Sequence, residues 1–322
     1  MNILEIGTRP LTPGPLGFRG VDRGGQTLRA DTQIFYVNSA HPNANDLNEG
    51  ISADAPFATV QAAVSNANLR SFDTIFVGGS VAESVITLDY NLGANYVSLI
   101  GAGDSMYSPY WETDNAALPC LDLRAVGWKV SGFRFWGPTT EACIQLRHTD
   151  TNADDIAIRT VIEGNLFDGL TTGRYGIVTH GCYDVWIKDN VFQLFHNAVA
   201  GGAVPLLVGT TPLAIPYRNH VVGNVFWDND NGAIFPCNGC RIEGNLFQKT
   251  GYAYTMAQVL QTSVGGNPGD DNIVTKNVFQ GDYSIAGGFT AGAADYWMQN
   301  ISDDLAEAEV DANTGFTIAR PS

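Results

Sequence analysis

The chain has 322 residues, of which 16% are charged, 44% are hydrophobic and 36 are glycine. So little charge, with only four Lys, excludes a helical bundle or coiled coil, and the apolar share excludes wholesale disorder. Asp plus Glu outnumber Lys plus Arg by 33 to 17, a net charge of −16, so a phosphate backbone is repelled and nucleic acid is not an expected partner.

The start, Met1-Asn2-Ile3-Leu4-Glu5-Ile6, has no basic run followed by an apolar one, and no stretch of 18 apolar residues occurs later. Neither Sec export nor a membrane span is expected. Residues 1–33 lack periodicity and are broken by Pro10, Pro13, Gly14, Pro15 and Gly17. They carry Arg9, Arg19, Arg23 and Arg29, four of the 17 basic residues. An arm with no core of its own is ordered by docking onto something, so this segment reads as an attachment or inter-subunit arm.

Ile34–Val37 reads as a strand. After a polar loop, Ser52 or Asp54 is placed to cap a helix over Ala58–Ala67, with Val60, Ala63, Val64 and Ala67 on one face. Strands are then expected at Asp73–Val77 and Ser84–Leu88.

From there the chain repeats. Ile162-Glu163-Gly164-Asn165-Leu166-Phe167 aligns without gaps with the segments 187–192, 221–226, 242–247 and 274–279. Each reads β-branched, variable, turn-former, Asn, aliphatic, Phe. The Asn positions 165, 190, 224, 245, 277 and 300 are 25, 34, 21, 32 and 23 residues apart. A period of this size without helical patterning signals a β-solenoid with loops of unequal length. A coil corner needs a residue in the left-handed region, and Asn and Gly tolerate it best. Asn165, Asn190, Asn224, Asn245 and Asn277 are expected to stack as a hydrogen-bonded ladder about 4.8 Å apart. Phe167, Phe192, Phe226, Phe247 and Phe279 are expected to form an internal aromatic stack. About 265 residues at about 25 per coil predict about ten coils, a rod of about 50 Å.

Phe35-Tyr36-Val37-Asn38, then Gly50, then Pro56 to Val64, then Asp73 to Val77, resembles the first coil of the right-handed parallel β-helix (pectate-lyase-like) superfamily. The resemblance covers about residues 34–300. It implies an all-β solenoid whose open end is capped by a helix near 57–67, with residues 303–322 as a tail or closing strand beyond a β-helix of residues 34–302. Leu99-Ile100-Gly101-Ala102-Gly103, then Tyr110-Trp111, then Pro119 to Trp128, is similar to β-helix proteins of tailed bacteriophages. That resemblance implies a non-enzymatic virion component: a decoration, knob or fibre protein, trimeric by family analogy, made in the host cytoplasm and released by lysis. Its partners would be copies of itself, a capsid or tail protein held through residues 1–33, and cell-surface glycans.

Enzymes of this superfamily use clustered Asp residues, with Ca²⁺ and a basic residue in the lyases, so Asp clusters are the signal for the alternative reading, a depolymerase or lyase. Trp227-Asp228-Asn229-Asp230-Asn231-Gly232 is the best candidate. Asp228 and Asp230 would share a face if they lay on a strand. Trp227 would stack on a sugar, in an enzyme or in a non-catalytic adhesin. A Ca²⁺ loop of EF-hand type fails because Asn238 stands where a Glu is needed. No metal or other cofactor is expected, with Ca²⁺ entering only under the lyase alternative. The pairs Asp154-Asp155, Asp270-Asp271 and Asp303-Asp304 read as solvated loops. His148, His180, His196 and His220 are scattered and read as corner residues. The five Cys form no disulfide framework, and Cys237-Asn238-Gly239-Cys240 lacks the second pair that a metal site needs. If the coils are consecutive, Glu163 and Lys188 are neighbours, and Val222 separates Lys188 from Glu243.

Overall fold

The computed structural model describes residues 32–87, 94–102, 109–149, 152–196, 203–208, 216–249, 258–262, 269–281, 289–292, 294–302, 308–309 and 318–319. The arm residues Arg9, Arg19, Arg23 and Arg29 and the pair Asp303-Asp304 lie outside them.

The described residues form a right-handed parallel β-helix with three sheets along its length. The first sheet has ten strands, from Ile34–Val37 to Tyr296–Met298, and so sets ten rungs. A typical coil runs through Val161–Glu163 in the first sheet, Leu166–Asp168 in the second and Tyr175–His180 in the third. Each strand then pairs in parallel with its counterpart one coil on.

Alternation fills the interior. Val130, Ile162, Ile187, Val221, Ile242 and Val274 align inward from the first sheet. Leu121, Ile144, Ile177, Leu206, Ala233 and Leu260 do so from the third. The second sheet contributes the rings. Phe135, Phe167, Phe192, Phe226, Phe247 and Phe279 stack in register, with centroids 4.5–5.2 Å apart. All are buried, and Trp111 continues the column below them.

Between first and second sheets the chain turns in two residues. The left-handed residue is the one before the Asn (φ +63° at Gly164, +55° at Asp189, +67° at Gly223), which corrects the expectation that Asn could take that conformation there. Asn points inward instead. The Oδ1 of Asn190 accepts from both the backbone N (3.0 Å) and the Nδ2 (3.1 Å) of Asn165. The same pair of bonds repeats from Asn190 to Asn224, Asn245, Asn277 and Asn300. Each Nδ2 also donates to a first-sheet carbonyl of the preceding coil, such as Ile187 for Asn224 (2.9 Å). Buried amide donors at this corner thus have partners that strand pairing cannot supply.

A second ladder lies five residues earlier, at the corner entering the first sheet. Asn219 Oδ1 accepts from Val185 N (2.9 Å), Asn272 Oδ1 from Cys240 N (2.9 Å), and Asp295 Oδ1 from Asn272 N (3.0 Å) and Nδ2 (2.8 Å). Cys240 occupies the intervening rung, its Sγ accepting from Asn219 N (3.3 Å), and its Cα lies 6.1 Å from that of Cys237. Cys120, Cys143 and Cys182 are free and buried, and burial pushes the Cys182 thiol up to about 12.

The cap is shorter than expected. The helix spans Val60–Val64 and is capped by Thr59, whose hydroxyl accepts from Ala62 N (3.1 Å), rather than by Ser52 or Asp54. Phe57 is tied into extended pairing by Phe57 N to Tyr36 O and Asn38 N to Phe57 O, which excludes an earlier start. Ser65 caps its end and Asn66 opens a turn by accepting from Asn68 N (2.8 Å), so Ala67 is exposed and Leu69 is buried in its stead. The expected strand at 84–88 is the short Val85–Ile86, and a further short strand, Val81–Ala82, precedes it. At the far end Ala308–Glu309 and Ile318–Ala319 extend the second sheet in antiparallel fashion.

Replacing Asn224 with Ala leaves both the backbone N and the Nδ2 of Asn190 short of an acceptor. Asn224→Ala is expected to cost about 2–6 kcal/mol, at about 1–3 per orphaned buried donor. Equilibrium urea unfolding measures it, and a loss under about 1 kcal/mol would mean the ladder is not a source of stability.

Candidate functional site

The strand Val225–Trp227 closes at a corner where Asp228 has φ +49° and its N donates to Gln248 O (2.8 Å). The next strand begins at Asn231. Asp228 and Asp230 therefore flank a turn and do not share a strand face, which corrects the geometry expected of them. Between them Asn229 is buried and acts as a local tie: its Oδ1 accepts from Phe195 N (3.0 Å) and its Nδ2 donates to Phe192 O (2.9 Å). Asp228 is 4% exposed. Asp230 is half-buried and its Oδ1 lies 2.7 Å from His196 Nδ1 in the preceding coil. Lys249 completes the corner from the coil above. It is 1% exposed and donates from Nζ to Asn229 O (3.0 Å). Burial lowers its pKa, against the attraction of Asp230 and Asp228, which raises it. The pattern held a signal for this lysine: Asp228 and Lys249 each stand four residues after a ladder Asn.

A second polar cluster, missed in the sequence, sits on the outward side of the third sheet. Asp122 is buried between two guanidinium groups: its Oδ1 accepts from Arg147 Nε (2.8 Å) and its Oδ2 from Arg124 Nη2 (2.7 Å). Arg147 Nη2 also donates to Gln145 Oε1 (2.8 Å), and Gln145 Nε2 to Glu141 Oε2 (2.8 Å). His180 pairs in register with Arg147. Burial, then the charge of Arg147, holds its pKa below the ordinary histidine value, with Asp122 opposing. His180 is therefore neutral at pH 7. These segments lack the Asn-Phe anchor, so alternation gives their outward faces but not their register.

The outward column of the second sheet runs Trp136, Asp168, Gln193, Trp227, Gln248 and Gln280. Asp168 accepts from Arg134 Nη2 (2.7 Å) and Gln193 Nε2 (3.1 Å). Trp136 is covered by Tyr110 (4.3 Å, 13° between planes). Trp227 is 38% exposed between two glutamines. On the first sheet Trp186 and His220 stack at 3.9 Å, so each ring hides a face of the other. Glu163 bonds Lys188 (2.6 Å) and Lys129; burial alone would raise its pKa, but the two lysines bring it below the usual carboxylate range. Lys188 pairs with Val222 and Val222 with Glu243, the expected order. Glu243 bonds Lys276 (3.0 Å) and Arg241.

Of the remaining acidic pairs, Asp154 and Asp155 lie within the strand Asn152–Ile156 rather than in a loop. Asp270 Oδ1 accepts from Ala294 N (2.6 Å), and Asp271 has φ +57°. Among the described residues no three His, Cys, Asp or Glu side chains converge as a metal site, and no helix is long and apolar enough to cross a membrane.

No protein-family model matches the chain, and no curated protein does. Among solved structures it is similar to XylC in complex with xylose (11% identity, 84% of this chain and 68% of that chain, TM-score 0.44). It is also similar to the Dettilon tailspike protein (16%, 71% and 56%, TM-score 0.37) and to the GH136 lacto-N-biosidase from Eubacterium ramulus (11%, 84% and 67%, TM-score 0.32).

His180 and His220 both have folded pKa values depressed mainly by burial. The unfolded chain then binds more protons below the ordinary value of 6.5, so their contribution to stability falls as pH drops through it. The urea midpoint is expected to fall between about pH 7.5 and about pH 5.5, a window above the carboxylate range. The double variant His180→Asn, His220→Asn should flatten that slope; an unchanged slope would exclude both histidines as its source.

Proposed function

We propose that the chain is a non-enzymatic structural component of a tailed-phage virion, a rod attached through residues 1–33. The observation that supports this reading is the use made of its outward carboxylates. Asp122 bonds Arg147, Asp168 bonds Arg134 and Gln193, Glu163 bonds Lys129 and Lys188, Asp184 bonds Arg218, Asp230 bonds His196 and Glu243 bonds Lys276. In each case a partner stands one coil away. A glycosidase or lyase needs carboxylates facing a shared gap that a sugar bond can enter. Here they tie rung to rung, and Asp228 is closed off beside a buried lysine.

Two experiments test the reading. Incubation of the full chain with acidic and neutral polysaccharides should release no reducing ends above the buffer blank. Release that Asp230→Asn abolishes would instead establish the depolymerase. Mixed with candidate capsid or tail particles, the full chain should co-sediment, and a chain lacking residues 1–33 should stay in the supernatant. Equal behaviour of the two would remove the arm as the attachment element.

A further inference from the structure

The odd number of cysteines hides a pair that the fold brings together. Leu121 pairs in parallel with Ile144, and Asp122 with Gln145, one coil on. Cys120 and Cys143, each one residue earlier, therefore stand side by side at the third sheet with their side chains pointing the same way. Parallel neighbours lie about 4.8 Å apart, within the Cα range of about 4.4–6.8 Å that a disulfide spans. Both residues are fully buried, and their thiols share a hydrogen bond. Cys120 Sγ also lies 3.9 Å from Trp136 O. The same column holds Ser84 in the coil before and Gly176 in the coil after. A side chain at Gly176 would meet Pro205 O at 2.7 Å and the Phe192 ring at 2.9 Å. The two thiols thus have no third ligand beside them in the column, which suits a bond between them and not a metal. Cys182 differs: its Sγ lies against the carbonyls of Leu146 (3.4 Å) and His180 (3.5 Å).

We propose that Cys120 and Cys143 are a site of oxidative cross-linking, joined as an inter-coil disulfide when the chain meets a small disulfide such as oxidised glutathione. The step balances without a further reactant. One cysteine loses its proton, and its thiolate attacks a sulfur of the small disulfide and expels one small thiolate. The thiolate of the second cysteine then attacks the protein sulfur of that mixed disulfide and expels the other. Two protein thiols are oxidised, one small disulfide is reduced to two small thiols, and these take up the two protons. The cysteines stand 23 residues apart. Between them the chain makes one complete turn of the solenoid, through Leu121–Leu123, Lys129–Ser131 and Arg134–Trp136. The bond therefore closes that coil into a ring and restricts the unfolded chain there. Burial, then the hydrogen bond with Cys120, raises the Cys143 thiol well above its ordinary value, so the closed coil reacts slowly and an opened one fast. In a reducing compartment the pair stays as two thiols.

This inference stands apart from the virion reading, since an enzyme on the same fold would carry the same pair. Non-reducing tryptic mapping by mass spectrometry tests it, because Arg124, Lys129 and Arg134 lie between the cysteines and put them on separate peptides. The full chain is held folded, and separately refolded from urea, in oxidised and reduced glutathione at about pH 8. The expected result in both samples is a pair of peptides joined through Cys120 and Cys143. The thermal midpoint of the linked chain should lie at least about 5 °C above that of the reduced chain. Cys143→Ala should lose both the joined peptides and the shift, while Cys182→Ala keeps both. Should Cys143→Ala misfold, Cys120→Ser, which matches Ser84 one coil earlier, makes the same comparison. Absence of joined peptides from both samples would overturn the inference, and so would Cys120 or Cys143 joined to any other cysteine. A linked chain that melts with the reduced one would overturn it as well.

Discussion

The asparagine ladder is the interaction on which the rest of the architecture depends. A two-residue turn between the first and second sheets leaves backbone donors inside the corner with no strand to receive them. One inward amide per coil meets that need in both directions: its oxygen takes two protons from the coil before, and its nitrogen supplies a carbonyl one coil back. Because a strand alternates, an inward Asn forces the residue two later inward as well. That residue is Phe in five coils, and the rings stack with interplanar angles of 2–23°. Ladder and stack are thus one constraint seen at two positions.

That constraint also explains how far the sequence could be read. The Asn and Phe recur because their surroundings are the same in every coil, so the solenoid, its number of rungs and the neighbours Glu163 and Lys188 were all legible. The left-handed residue was misplaced because Gly164, Asp189, Gly223 and Lys276 share conformation without sharing chemistry. The second ladder escaped for the same reason. Its rungs are Asn219, Cys240, Asn272 and Asp295, and earlier coils place Thr160 and Val185 at that offset. The helix is shorter than its pattern because the face is sound only through Val64: Ser65 caps it, and Asn66 opens a turn by accepting from Asn68 N two residues on.

The polar groups divide by the sheet that carries them. On the first sheet opposite charges alternate and satisfy one another between coils. On the third, Asp122, Arg147 and Gln145 form a chain of hydrogen bonds around a buried carboxylate. At the corner after the second sheet, Asp228, Asp230, His196 and Lys249 come together from three successive coils. The sequence offered Asp228 and Asp230 as a pair of like groups on one strand. The fold makes them unlike: one is buried beside a lysine, and the other is held by a histidine 34 residues earlier in the chain. Sequence spacing alone cannot distinguish these outcomes, because the turn between the two residues decides them.

The outward aliphatic column follows from the ladder too. With Asn inward and Phe inward, the residue between them has no choice but to face out. A shift of register by one would hide Leu166 and Val225 only by turning every Phe and every ladder Asn toward solvent. The column is therefore not a core awaiting better packing, and the interior gains nothing from its being apolar. Four of its six residues, Val191, Val225, Val278 and Ile301 (the others are Leu166 and Leu246), are β-branched, a residue type that suits the pleated, partly exposed surface of a strand.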